Sequence, residues 1–177
     1  MIKEVWKMSG PSMSLSWRLI LILVLGIITG CSTTGSVTMH ESSVPAKAIK
    51  GMAVALVVTP SGNDVVIPLR GQVAAQLLGA GLFRSITDES DPNADYKISI
   101  NLTTIDEVSG VSRVLWGTLA GRNKIAGDVT VIDVRTGQKV RSFSFVGESA
   151  AHPFSGKSDI KDAINKAAEE VIKGLVS

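Results

Sequence analysis

The chain has 177 residues, a length suited to one domain or at most two small ones, with 18 Lys+Arg against 16 Asp+Glu. The net charge of +2 and the aromatic content of 5% provide no electrostatic or base-stacking basis for nucleic-acid binding. The single cysteine, Cys31, excludes an intramolecular disulfide framework and any zinc or iron–sulfur site built from several cysteines.

Residues 1–30 are typical of a secretory signal peptide. A segment with three cations and one acid precedes ten uncharged residues, 19–28. That run is too short to cross a bilayer as a helix, which takes about 20 residues. Because the positive segment is longer than usual, Met8 and Met13 are alternative starts to Met1.

The signal peptide ends in four residues that resemble the lipobox of bacterial lipoproteins: Ile28, Thr29, Gly30 and Cys31. The resemblance implies that diacylglycerol is attached to the Cys31 sulfur. After cleavage, an acyl chain such as palmitate would be attached to the new amino group. A free core cysteine after a plain signal peptide is the alternative interpretation. Two or three acyl chains hold a protein on a membrane stably, whereas one binds marginally.

The residue after the cysteine is Ser32 and not Asp. In lipoproteins of enteric-type bacteria, an Asp at this position favours retention in the inner membrane. By this resemblance we predict a lipid-anchored protein of the bacterial outer membrane whose mature domain faces the periplasm. Exposure at the cell surface is left open.

Residues 31–47 are predicted to be the lipidated cysteine and a flexible tether. The segment is rich in Ser and Thr, has no apolar period and ends near Pro45. A flexible chain of this length spans about 20–24 Å on average. His40 lies in it, and a solvated histidine is favoured over a metal ligand.

Residues 48–177 are predicted to form a single α+β domain. Its sheet is expected to be mostly antiparallel with four or five strands, and two helices are expected to pack on one face. Apolar runs, alternation and helical spacing locate the elements. They are a buried strand at 52–59, a helix at 68–80, a short strand at 84–87, a half-exposed strand at 96–103, a hairpin at 128–134 and 139–146, and a helix that begins near Ser158.

The C-terminal helix is predicted to be amphipathic. Ile164, Val171 and Leu175 share its apolar face, and Glu169 and Glu170 are assigned to its charged face. We therefore expect one side of this helix to cover the sheet and the other to face water.

Residues 111–127 read VSRVLWGTLAGRNKIAG and leave three interpretations open. The first is a bent strand or turn whose glycines allow close backbone approach. The second is a surface for a partner or a second copy, with Trp116 and Leu119 as apolar anchors and Arg113 and Arg122 on the rim. The third is a tip that dips into the bilayer between flanking cations.

Two stretches, 113–121 and 127–137, resemble a family of bacterial lipoproteins known as domain of unknown function 4410. The shared features are a Gly-rich step, the strand that follows it and a D-x-x-T-G hairpin at 133–137. The resemblance covers roughly residues 50–175 and implies no established activity. The family's fold is similar to the α/β domains of TolB amino-terminal and curli-secretion lipoproteins, which implies a role in envelope assembly or scaffolding.

The stretches that resemble catalytic or metal-binding motifs lack residues that those motifs need. Residues 151–158 match a relaxed P-loop, but Pro153 has no N–H to donate to a phosphate. Ser155, His152 and Asp159 are crowded within eight residues, without a nucleophile elbow. The acidic loop 88–93 lacks the glycine and terminal Glu of an EF-hand. We expect no cofactor, no metal and no enzymatic activity.

The sequence therefore predicts a non-enzymatic binding or scaffold module of the cell envelope, held on the membrane through Cys31. Its partner is expected to be another envelope protein. A self-assembling subunit that forms a homo-oligomer is the first alternative, and an envelope hydrolase is the second.

Overall fold

The computed structural model describes residues 32–45, 49–60, 64–108, 121–150 and 160–177. Six strands and two helices form in this part of the chain. They are β1 (Thr34–Ser42), β2 (Ala53–Thr59), α1 (Val66–Gly79), β3 (Ser85–Thr87), β4 (Tyr96–Asp106), β5 (Lys124–Asp133), β6 (Lys139–Glu148) and α2 (Ile160–Val176).

The strands form one mixed sheet in the order β1-β6-β5-β4-β2-β3. The α+β class is confirmed, but the expected sheet of four or five mostly antiparallel strands is wrong. β1, β6, β5 and β4 are antiparallel neighbours, whereas β2 pairs in parallel with both β4 and β3. The parallel pairs arise because both connections return the chain to the same end of the sheet. α1 joins β2 to β3, and the segment after β3 passes β2 to reach β4 on its other side.

The predicted buried strand, half-exposed strand and hairpin are present as β2, β4 and β5–β6. Period-two alternation places Ile98, Ile100 and Leu102 of β4 in the core, as the sequence indicates. Both predicted helices form as well. The core lies between the sheet and the two helices, which pack against each other.

β1 occupies the segment that the sequence assigns to a flexible tether. It pairs with β6 from Thr34 to Ser42, with an irregular register around His40. Eight of its nine side chains are exposed and Val37 is half-buried. A strand at the edge of a sheet with nearly all side chains in water has the same polar, aperiodic composition as a linker, so composition alone does not separate the two.

Glycines bring α2 close to the edge of the sheet. A Cβ built on Gly147 of β6 would lie 2.3 Å from the backbone nitrogen of Ala167. A Cβ on Gly174 would lie 2.3 Å from the ring of Phe143. These contacts leave no room for a side chain, because real Cβ atoms do not approach other heavy atoms below 3.0 Å.

Gly35 provides space of a different kind. A Cβ at this position of β1 would lie 2.6 Å from the side chain of Glu170, which is only 4% exposed. The expectation that Glu170 belongs to a solvent-facing surface of α2 is therefore wrong. Its carboxylate lies over Gly35 and pairs with Lys166 at 3.3 Å and Lys173 at 3.4 Å, so the buried charge is compensated.

Arg141 is a second buried charge, with 2% of its surface exposed. Its Nη1 donates hydrogen bonds to the carbonyl oxygens of Gly174 (3.0 Å) and Leu175 (2.9 Å) in the last turn of α2. Its Nη2 donates to the carbonyl oxygen of Val44 at 3.1 Å. Burial lowers the pKa of the guanidinium from its ordinary value, but arginine stays charged in proteins. The cation thus satisfies carbonyls that a helix leaves without partners at its C-terminus and joins them to the segment after β1.

Candidate functional site

One end of the sheet, here named the proximal end, lies nearest in sequence to Cys31. Four residues on neighbouring strands form a row there: Thr34 of β1, Glu148 of β6, Lys124 of β5 and Asp106 of β4. β1 begins at this row, β4 and β6 end at it, and β5 begins at it. The β4–β5 connection and the β6–α2 connection therefore both leave the sheet at the end where β1 starts.

Asn123 ties these connections together. It is fully buried, and its side-chain Oδ1 accepts a hydrogen bond from the N–H of Val108 at 2.8 Å. Its backbone carbonyl accepts the N–H of Ser149 at 2.9 Å, and its N–H donates to the Ser149 Oγ at 3.1 Å. One residue thus holds the end of β4, the start of β5 and the end of β6 in register.

Arg122 is the one predicted partner-binding residue that the structure describes. Its Nη1 donates a hydrogen bond to the Thr34 Oγ1 at 3.0 Å and lies 4.0 Å from the Glu148 carboxylate. Thr34 in turn donates to Glu148 at 3.0 Å. Arg122 is half-buried, so the cation belongs to the proximal end and remains partly open to solvent.

The other predicted site residues lie outside the described part of the chain. They are the lipobox residues Ile28, Thr29 and Gly30, the lipidation site Cys31, and the partner-surface residues Arg113, Trp116 and Leu119. Residues 151–159, which carry the weak P-loop and triad patterns, also lie outside it. The described ends of the β4–β5 connection place the attachment points of the Trp116 segment at the proximal end.

A shallow groove opens beside the start of β1. It has a volume of about 200 Å³ and is lined by Thr34, Gly35, Ser36, Val146 and Glu148. The β1 side of the groove consists of small residues, two of them with hydroxyl groups, and the β6 side carries the Glu148 carboxylate. The groove therefore extends the proximal end with hydrogen-bonding groups and not with an apolar binding cavity.

The outer face of the sheet, opposite the helices, carries a Ser, a His and an Asp in contact. His40 Nε2 lies 2.6 Å from the Ser144 Oγ, and that hydroxyl donates to Asp128 at 2.6 Å. In a catalytic triad the histidine stands between the serine and the carboxylate. Here the serine stands in the middle and gives its only proton to Asp128, so His40 is the donor to Ser144. The arrangement links β1, β6 and β5 across the outer face and lacks the order of groups that activates a serine in a triad.

Membrane and metal features of the described residues are limited. No helix among them is long and apolar enough to cross a membrane. No group of three or more His, Cys, Asp or Glu side chains in this part of the chain is placed to hold a metal ion. The acidic loop predicted at 88–93 uses Asp88 and Glu89 to pair with Arg70 and Lys97.

A family model described as a domain of unknown function, DUF4410, matches residues 52–153, more than half of the chain. The chain belongs to the DUF4410 family. The match begins just before β2, includes the whole β4–β5 connection and ends five residues after β6. The resemblance found in the sequence is thus confirmed. The matched region of this DUF4410 domain includes Asn123 and the residues to which it is hydrogen-bonded, Val108 and Ser149.

Solved structures of PelC share the fold. The PelC dodecamer from Paraburkholderia phytofirmans has a TM-score of 0.55 and 18% sequence identity, over 81% of this chain and 99% of that chain. A variant of the same protein has a TM-score of 0.55 and 19% identity, over 81% and 98% of the two chains. A DUF330 protein from Xanthomonas campestris has a TM-score of 0.48 and 15% identity, over 78% and 90%. A search of the curated proteins finds no match.

Proposed function

We propose that this DUF4410 domain is a lipid-anchored, non-enzymatic module of the bacterial cell envelope that binds another envelope protein at its proximal end. The observation that carries the proposal is the start of β1 only three residues after Cys31. An extended chain advances about 3.3–3.6 Å per residue, so the lipidated sulfur and the sheet are joined by roughly 10 Å of backbone. The proximal end would then lie next to the membrane.

The position of the β4–β5 connection supports the choice of binding surface. Trp116 and Leu119 are apolar residues of the kind that anchor protein interfaces, and Arg113 and Arg122 suit a polar rim. Arg122, at the edge of the proximal end, would pair with an acidic group of the partner. A surface next to the membrane favours a partner that is itself in or on the membrane.

The location that we propose is the periplasmic face of the outer membrane. Ser32 after the lipidated cysteine supports outer-membrane sorting by resemblance to other lipoproteins. The mature chain, from Cys31 onward, carries 15 Lys+Arg and 15 Asp+Glu. Because these charges cancel, the membrane association proposed here depends on the acyl chains and not on a basic surface.

Replacing the lipidated cysteine tests the anchor. Cys31→Ser is expected to abolish membrane association, because the hydroxyl cannot form the thioether that carries diacylglycerol. Membranes and soluble fractions are separated and blotted for the wild type, Cys31→Ser and Thr33→Ser, which changes a nearby residue outside the motif. The anchor hypothesis is wrong if Cys31→Ser still partitions with membranes and leaves them only in detergent, as the wild type does.

Site-specific crosslinking tests the binding surface. A photo-crosslinking amino acid at Trp116 is expected to capture a discrete envelope protein in intact cells, whereas the same group at Thr136 is not. Thr136 is exposed in the β5–β6 turn at the opposite end of the sheet and serves as the matched control. Equal capture at both positions, or none at Trp116, would count against a partner at the proximal end.

Self-assembly is the second candidate, and it is supported by the description of PelC as a dodecamer. β1 and β3 are the two edges of the sheet and run antiparallel to each other. If β1 of one copy paired with β3 of the next, the strands would be antiparallel while every Cys31 stayed on the same side. A closed ring on one membrane satisfies this geometry.

Light scattering on the lipidated protein in detergent separates the two candidates. A ring is expected to give one particle several times the protomer mass at all concentrations above its dissociation constant. Trp116→Ala is expected to leave that mass unchanged if the edges carry assembly, and to reduce it if the β4–β5 connection does. A protomer mass for both proteins would exclude self-assembly.

A further inference from the structure

We propose that β1 is a detachable strap that sets the distance between the domain and the membrane. Paired with β6, it leaves a short link to Cys31; released, it becomes a long tether. The part of this inference that concerns the membrane rests on the proposed lipid anchor. The detachment of β1 does not, and the two can be tested separately.

The burial of β1 is the first support. Its nine residues include no buried side chain, and Val37 alone packs partly against the core. The neighbouring strand β6 buries Phe143 and Phe145 almost completely. Because segments that bury few apolar side chains open at lower free energy than the core, β1 is expected to open without the rest of the sheet.

The side-chain contacts of β1 are the second support. They are hydrogen bonds and an ion pair at exposed positions: Thr34 with Glu148 and with Arg122, His40 with Ser144, and Glu41 with Lys139. Exposed pairs of this kind contribute little to stability, since water replaces each partner. Gly35 adds no side chain to the contact with Glu170.

The strap has a defined end. Ser43 donates its N–H to the carbonyl oxygen of Val140 at 3.0 Å, and Arg141 donates to the carbonyl oxygen of Val44 at 3.1 Å. Arg141 is buried and also holds the last turn of α2. Separation of β1 from β6 that starts at Thr34 is therefore expected to stop at Val44, where the chain is hydrogen-bonded to Arg141 of the core.

The change in reach follows from chain length. With β1 in the sheet, the chain from Cys31 to Thr34 spans about 10 Å. With β1 released up to Val44, thirteen residue steps span about 18–22 Å on average and about 45 Å when extended. Release of β1 would thus let the domain move from the membrane surface to a partner several nanometres away, while the rest of the fold stays intact.

Hydrogen exchange tests detachment directly. In the full lipidated protein, the β1 amides that donate to β6 are expected to exchange at least about tenfold faster than β5 amides that pair with β6. Ser36 and Val146 are direct register partners, so Ser36→Cys with Val146→Cys forms a bridge across the two strands. The oxidised bridge is expected to slow β1 exchange to the β5 rate, and a reductant to restore it. Equal rates in β1 and β5 before oxidation would overturn the proposal.

A pair of matched variants tests the effect on distance. Val37→Asp removes the half-buried contact and opens the strap, whereas Thr38→Asp adds the same charge at the neighbouring exposed position. A fluorophore on Thr136→Cys reports energy transfer to labelled headgroups in phosphatidylethanolamine–phosphatidylglycerol vesicles. Val37→Asp is expected to lower the transfer relative to Thr38→Asp while β5 exchange stays unchanged.

The outcomes distinguish the strap from the anchor. Equal transfer in the two variants overturns the strap as a device that sets distance. If no variant binds vesicles while the β1 amides still exchange fast, the lipid-anchor hypothesis is wrong. The proposed role of β1 in setting the distance to the membrane is then wrong as well, whereas its detachment is not. If Val37→Asp raises exchange throughout the domain, β1 is part of the cooperative core and detachment is refuted.

Discussion

Replacing Arg141 with Met is expected to lower the free energy of unfolding by about 3 kcal/mol or more. Methionine fills much of the same volume but donates no hydrogen bond. Three carbonyl oxygens, of Val44, Gly174 and Leu175, would lose their partner in a buried setting. The C-terminal end of α2 would also lose the cation that interacts favourably with the helix dipole.

Urea denaturation of Arg141→Met, Arg141→Lys and Arg84→Met measures this effect. Lysine keeps the charge but lacks the planar fork that reaches two segments at once, so an intermediate loss is expected. Arg84 is exposed and serves as the matched control, with a change within about 0.5 kcal/mol. Similar losses for Arg84→Met and Arg141→Met would contradict the assignment of Arg141 as the clip between β6, α2 and the segment after β1.

A methyl group at Gly147 is expected to destabilise the domain by about 2–3 kcal/mol, because it forces α2 away from β6. The added Cβ would lie 2.3 Å from the Ala167 nitrogen, which belongs to the helix backbone and cannot rotate aside. The strand and the helix would have to separate, and the packing of Phe143 of β6 against Gly174 of α2 would loosen with them.

Gly71→Ala is the matched control, since it makes the same chemical change where a Cβ meets nothing within 4 Å. Gly71 lies inside α1, where alanine is favoured over glycine by about 0.5–1 kcal/mol. Thermal and urea unfolding of the two variants should therefore shift in opposite directions. A stabilised or unchanged Gly147→Ala would show that α2 does not pack on β6 at this distance.

The sequence predicts those elements whose apolar pattern follows from their burial. β4 alternates because one face is buried, and α2 is amphipathic because one side covers the sheet. β1 escapes prediction, since an edge strand whose only partly buried side chain is that of Val37 has no apolar period to detect. The mixed sheet escapes it too, because pairing between β2 and β4 depends on contacts distant in sequence.

The burial of polar residues also does not follow from the sequence pattern. Arg141 and Glu170 are charged residues that a helix or strand pattern assigns to solvent, and their burial depends on carbonyls and lysines that only the fold brings near. Asn123 carries a weak signal, as a polar residue between a Gly-rich step and an apolar strand. Of the candidate site, the sequence singles out Cys31 and the Trp116 segment, which lie outside the described residues. The row of Thr34, Glu148, Lys124 and Asp106 at one end of the sheet follows from strand direction and register, which the sequence pattern does not give.

The mass of the N-terminal peptide of the membrane-extracted protein tests the central claim most directly. A lipid-anchored module must begin at Cys31 and carry diacylglycerol, with its two acyl chains, on the sulfur; acylation of the amino group adds a third chain. Tandem mass spectrometry of that peptide should therefore show the cysteine start and the mass of two or three acyl chains. An unmodified Cys31, or a mature chain that begins at Met1, Met8 or Met13, would contradict the account.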